Sequence, residues 1–83
     1  MDLCDLPNIG AILEAELIRA GVETPEELKK LGAREAFIRL RMRAPDACLN
    51  RLYALAGAAA GVRWHQLPQE EKAELKKWYD SIG

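Results

Sequence analysis

The chain has 83 residues, 49% of them apolar and 30% charged, with a formal net charge of −1. That length allows one domain, 1–83, and leaves no room for a second core or a separate cofactor domain. The near-neutral balance excludes a global field that draws in nucleic acid or an acidic membrane, and the wealth of Leu and Ala favours helix over sheet. The first predicted helix runs from Gly10 to about Ala20, entered through Leu6-Pro7-Asn8-Ile9. Leu13, Leu17 and Ala20 form one stripe, and Ala11, Ala15 and Ile18 form another. Gly21 suits a left-handed cap, with Val22 packing back on Leu17 in a Schellman ending. The second helix starts at Thr24-Pro25-Glu26-Glu27, where Thr24 caps, Pro25 fits the first helical position and Glu27 completes a capping box. Leu28 and Leu31 face its core side, and Gly32 stops it.

The third helix is predicted over Ala33 to Arg43. Ala33, Ala36, Phe37 and Leu40 share one face, while Ile38 and Met42 lie nearly opposite. Pro45 ends it, because the residue before proline avoids helical geometry. The fourth helix, Asp46 to Ala60, is the most buried candidate. Its stripe of Cys48, Leu52, Leu55 and Ala59 is widened by Leu49, Tyr53 and Ala56, and its Ala/Gly content lets neighbouring backbones approach closely. Gly61 ends it. After the short link Val62 to Leu67, Pro68 opens a fifth helix with Leu75, Trp78, Tyr79 and Ile82 on its core face. The expected fold is therefore all-α, a compact bundle of five short helices.

Charge is polarised along the chain. Residues 1–28 hold seven acids against Arg19, a net of −6, while residues 29–51 hold seven bases against Glu35 and Asp46, a net of +5. Cys4 and Cys48 show no metal spacing and no secreted framework, so reduced thiols and a cytoplasmic location are expected. The N-terminus lacks a signal-peptide pattern, and the apolar stretch Ala54–Val62 is too short to span a bilayer.

Leu6-Pro7-Asn8-Ile9-Gly10, then Ala20-Gly21-Val22, then Thr24-Pro25-Glu26-Glu27-Leu28 resembles helix-hairpin-helix and SAM-like small domains. The whole chain is more specifically similar to the C-terminal domain of TfoX-type (Sxy-type) competence regulators. Gly32-Ala33-Arg34-Glu35-Ala36, Cys48 to Leu55, Gly57-Ala58 and Arg63-Trp64-His65-Gln66-Leu67-Pro68 carry that likeness in order. The resemblance implies a five-helix bundle that follows an N-terminal domain in proteins controlling genes for DNA uptake. The start Met1-Asp2-Leu3 favours a stand-alone protein over an excised piece.

Three candidate sites emerge. Asn8, Ile9 and Gly10 can form a hairpin that offers backbone N–H groups to a DNA phosphate, or simply a tight turn; Glu14 and Glu16 make the following helix acidic. Arg34, Arg39, Arg41, Arg43 and Arg51 can follow a nucleic-acid backbone without reading bases, or form a solvated face. Ile38 and Met42, set among arginines, point to a protein partner or homodimer contact unless the helix is sandwiched inside the fold. Trp64 reads as an anchor for the last helix, and the lone His65 has no companion ligand for a metal. No P-loop, dinucleotide fingerprint or paired nucleophile and base is visible, so neither an enzyme, a cofactor nor a small-molecule substrate is expected. The leading expectation is a non-enzymatic interaction module, protein–protein or self-associating. The alternative is sequence-independent DNA binding through the basic surface and the hairpin.

Overall fold

The structure is a computed structural model, and it describes residues 2–82. Five α-helices follow one another: α1 (Ala11–Arg19), α2 (Pro25–Leu31), α3 (Ala33–Arg43), α4 (Leu49–Ala60) and α5 (Gln69–Ser81). Short 3-10 turns stand at Leu3–Asp5 and Trp64–Gln66, and among the described residues there is no strand.

The glycine and proline punctuation works as its chemistry requires. Gly21 has φ 90°, Val22 N–H donates to Leu17 O at 2.8 Å, and Gly21 N–H donates to Ile18 O at 3.0 Å. This is the Schellman pattern, and it seats Val22 in the core. Gly61 repeats it at the end of α4, with Val62 N–H on Gly57 O and Gly61 N–H on Ala58 O. At α2, Thr24 Oγ1 accepts from Glu27 N–H at 3.1 Å, while Glu27 Oε2 reaches the N–H of Glu23 at 3.5 Å. Only the Thr24 half of the expected capping box therefore forms in the standard way. The carboxylate goes one residue further back.

α4 is the central rod and touches α2, α3, α5 and the Trp64–Gln66 turn. Leu52, Leu55 and Ala58 are fully enclosed there, in one core cluster with Phe37 and Leu40 of α3, Leu13 and Leu17 of α1, and Leu28 of α2. Among the described residues no polar or charged residue is classed as buried, so apolar burial and backbone hydrogen bonds hold the bundle together.

Two boundary expectations are corrected. α4 begins at Leu49, not Asp46, because residues 44–47 close a turn through Ala47 N–H and Ala44 O at 2.9 Å. Ala47 takes the buried place, and Cys48, expected on the core stripe, is an exposed N-cap. α5 ends at Ser81, and Ile82, expected on the core face, is 39% exposed beyond the last turn. Among the described residues no helix is long and apolar enough to cross a membrane.

Candidate functional site

The outer side of α3 carries exposed apolar residues that meet the end of α5. Ala36, Phe37 and Leu40 turn inward and are fully buried. At 100° per residue, Ile38 and Met42 must then face outward. They are 41% and 79% exposed. Together with Arg41, Pro45 and Ile82 they line an open hollow of about 550 Å³. The misplaced Ile82 thus joins the pair that the sequence singled out, at the junction of α3 with the end of α5.

Aromatic packing fixes that junction. Phe37 meets the Trp78 ring edge-on at 6.2 Å between centroids and the Tyr79 ring at 5.8 Å. The Arg41 guanidinium lies 5.6 Å from the Phe37 centroid and 5.3 Å from that of Tyr79, and Arg34 lies 5.8 Å from that of Trp78. Each such contact contributes about 0.5–1 kcal/mol at an exposed site. Arg34 and Arg41 therefore act as packing groups as well as charges.

The remaining arginines go elsewhere. Arg39 pairs with Glu35 along α3 at 3.5 Å, and Arg51 pairs with Glu16 of α1 at 3.3 Å. That second pair is close enough for ion attraction but out of line for a hydrogen bond, which leaves the enclosed Glu16 Oε1 without one. Arg43 is exposed beside Met42. The five arginines are thus spread over an α5-facing flank, an open α3 side and the α1–α4 seam.

The hairpin residues separate as well. Asn8 sits at φ 71°, and its side-chain amide turns into the protein. Nδ2 donates to Val62 O at 3.0 Å and Ala54 O at 3.4 Å, and Oδ1 accepts from Trp64 N–H at 3.1 Å. Ile9 is buried at 5% exposure, and Gly10 N-caps α1 in extended geometry. Gly57, named in the sequence only as part of the family likeness, faces this amide. A Cβ there would stand 2.5 Å from Asn8 Nδ2 and 2.7 Å from Val62 O, so only glycine leaves room for the Asn8 clamp.

Trp64 stacks on Tyr53 of α4 at 5.9 Å with 8° between ring planes. Lys72 of α5 lies over its ring at 5.6 Å and donates to His65 O at 3.3 Å, so Trp64 links the last two long helices. Cys4 is exposed overall, yet neighbouring atoms strip some water from its thiol. That desolvation, then the adjacent Glu14 carboxylate, raises its pKa above the ordinary value. The thiol is therefore held protonated and weakly nucleophilic. Among the described residues no cluster of His, Cys, Asp and Glu is arranged to hold a metal.

A second exposed apolar face lies on α1, where Ile12 is 75% and Ile18 is 45% exposed with Ala11 and Ala15 open beside them. The stripe of Ala11, Ala15 and Ile18 anticipated part of it, but Ile12 had no assigned face.

Comparison with known proteins gives a consistent picture. The family model described as the TfoX C-terminal domain matches residues 1–79. Protein Sxy of Escherichia coli (strain K12) is 36% identical over 80 residues, which make up 96% of this chain and 38% of Sxy. The chain thus spans 38% of the length of that curated relative. Two crystal structures from Listeria monocytogenes share 49% sequence identity with it. An uncharacterized protein in a triclinic form superposes with TM-score 0.97 over 99% of this chain and 93% of that one. A protein of unknown function in a tetragonal form gives 0.95 over 98% and 99%.

Proposed function

The chain belongs to the TfoX C-terminal domain family, and from that membership we propose that this competence-regulator-like domain is a non-enzymatic module that docks a protein through the outer side of α3. The observation that carries the reading is the cluster of Ile38 and Met42 of α3, Pro45 of the following turn and Ile82 just past α5, all left open to water. Apolar side chains grouped at one place and rimmed by arginine are the composition of a protein contact, with Arg41 and Arg43 supplying the polar edge. The other exposed large apolar residues are Ile12 and Ile18 on α1 and Trp64 on the turn before α5, where it stacks on Tyr53.

DNA binding through the arginines and hairpin has less support. Arg34 and Arg41 rest on aromatic rings, Arg39 and Arg51 face carboxylates, and the Asn8 amide is bonded to the backbone of other elements. If DNA is nevertheless the partner, retention on duplex DNA at low salt must fall steeply as salt rises.

The test is a graft. This chain replaces the C-terminal domain of a TfoX-type competence regulator, and transcription of the DNA-uptake genes is read. The expected outcome is activity in the graft and its loss with Met42→Glu, at unchanged protein abundance. A fully active Met42→Glu graft contradicts the docking surface.

A further inference from the structure

The charges that border Ile38 and Met42 can be read residue by residue. Arg34, Ile38 and Met42 follow one another along α3 at four-residue spacing, and Arg41 lies three residues after Ile38, so all four share the outer side of the helix. Arg34 and Arg41 border Ile38 on the edge nearer α5, where they lie over the rings of Trp78 and Tyr79. Glu35 and Arg39 border it on the other edge and pair with each other at 3.5 Å. Among the described residues neither Arg34 nor Arg41 has a carboxylate in ion-pair reach. Beyond the Glu35 pair, the acid closest to Met42 in sequence is Asp46, next to Pro45. One edge of the apolar ridge is therefore neutralised, and the other carries two cations without a counter-charge.

Those two guanidinium groups are also held in place. Resting on aromatic rings restricts their rotamers, while the in-plane N–H groups of a guanidinium on a ring stay available to a carboxylate. Positions 34 and 41 are two helical turns apart, about 10.5 Å along the axis. A second helix laid along α3 presents its own side chains at the same pitch. Carboxylates seven residues apart on one of its edges then meet Arg34 and Arg41, while the apolar residues beside them enter the hollow lined by Ile38, Met42 and Ile82.

We propose that the occupant of this face is an amphipathic helix of a partner protein, whose apolar ridge is bordered on one edge by two carboxylates about two turns apart. The proposal rests on the docking surface inferred above and gives its partner a chemistry. A helix of equal apolarity with cations on that edge opposes Arg34 and Arg41 and is rejected, because like charges set against each other across an interface cost affinity. A single helix covers less than the roughly 800 Å² per partner that stable complexes bury, so the contact is weak, reversible and sensitive to salt.

Fluorescence anisotropy tests it with two labelled synthetic peptides of about 18 residues, five helical turns each. Both carry leucine along one ridge. One has glutamate, the other lysine, at two positions seven residues apart beside that ridge. The chain is expected to bind the glutamate peptide at least about tenfold more tightly at low salt, and to lose that preference as salt rises. Met42→Glu is expected to abolish binding of the glutamate peptide. Joint Arg34→Gln and Arg41→Gln substitution is expected to remove the preference, and Arg34→Lys with Arg41→Lys to keep it, with circular dichroism verifying that each variant retains the helical content of the wild type. Equal affinity for the two peptides, or no binding of the glutamate peptide, overturns the proposal. So does self-association of the chain that Met42→Glu abolishes, because it gives the face to a second copy. Duplex DNA that binds through Arg34 and Arg41 and ignores Met42→Glu overturns it too, because it gives the arginines to phosphate. A glutamate peptide that fails to bind while the Met42→Glu graft is inactive removes the acidic helix and keeps the docking surface.

Discussion

Asn8 holds a left-handed backbone conformation at φ 71° and donates or accepts three hydrogen bonds to the backbone of residues 54, 62 and 64. Asparagine tolerates that region better than other non-glycine residues, and its amide bridges carbonyl and N–H groups at once. Asn8→Ala loses both advantages, whereas Asn8→Gly loses only the bonds. Urea denaturation is expected to place Asn8→Gly about 1 kcal/mol above Asn8→Ala, with both below the wild type. Gly57→Ala pushes a methyl into Nδ2 and the Val62 carbonyl, and is expected to cost about 1–3 kcal/mol in the same experiment. The clamp was not legible in the sequence. Its two members are far apart in the chain, and backbone carbonyls carry no residue signature. Only the general expectation that Gly and Ala in the fourth helix permit close approach anticipated it. Cys4 makes a separate prediction. Its raised pKa lowers the thiolate fraction near neutrality, so iodoacetamide is expected to modify it more slowly than a free peptide thiol, read by mass spectrometry at pH 7.5 as a nominal condition.

At the scale of elements, the stops and starts were the most legible features. Gly21 and Gly61 close helices in left-handed conformations, and Thr24 with Pro25 opens one, because each residue type satisfies a local backbone requirement wherever the chain places it. Thr24→Ala is expected to lower stability by about 1 kcal/mol in thermal unfolding, through the loss of the bond to Glu27 N–H. What failed were readings in which two local solutions compete. Pro45-Asp46 resembles a helix start, but the chain first makes a turn that buries Ala47 and leaves Cys48 outside. Ile82 continues the spacing of Leu75, Trp78 and Tyr79, yet α5 stops one residue earlier. In α1 apolar residues occur on both faces. The choice to bury Leu13 and Leu17 and expose Ile12 and Ile18 is made by what packs against the helix, not by its own periodicity.

For the molecule as a whole, folding partly cancels the polarity of charge along the sequence, because Arg51 of the basic middle stretch pairs with Glu16 of the acidic first one. What folding does assemble is an exposed apolar patch at the junction of α3 with the end of α5. The Ile38 and Met42 half of this was readable from helical spacing alone. Pro45 and Ile82 joined it only through the turn before α4 and the short end of α5. The most direct measurement is transcription of the DNA-uptake genes when this chain replaces the C-terminal domain of a TfoX-type regulator, with and without Met42→Glu, at equal protein abundance. If the outer side of α3 docks a protein, the unsubstituted graft is active and Met42→Glu abolishes that activity while circular dichroism shows its helical content unchanged. A Met42→Glu graft as active as the unsubstituted one would contradict it.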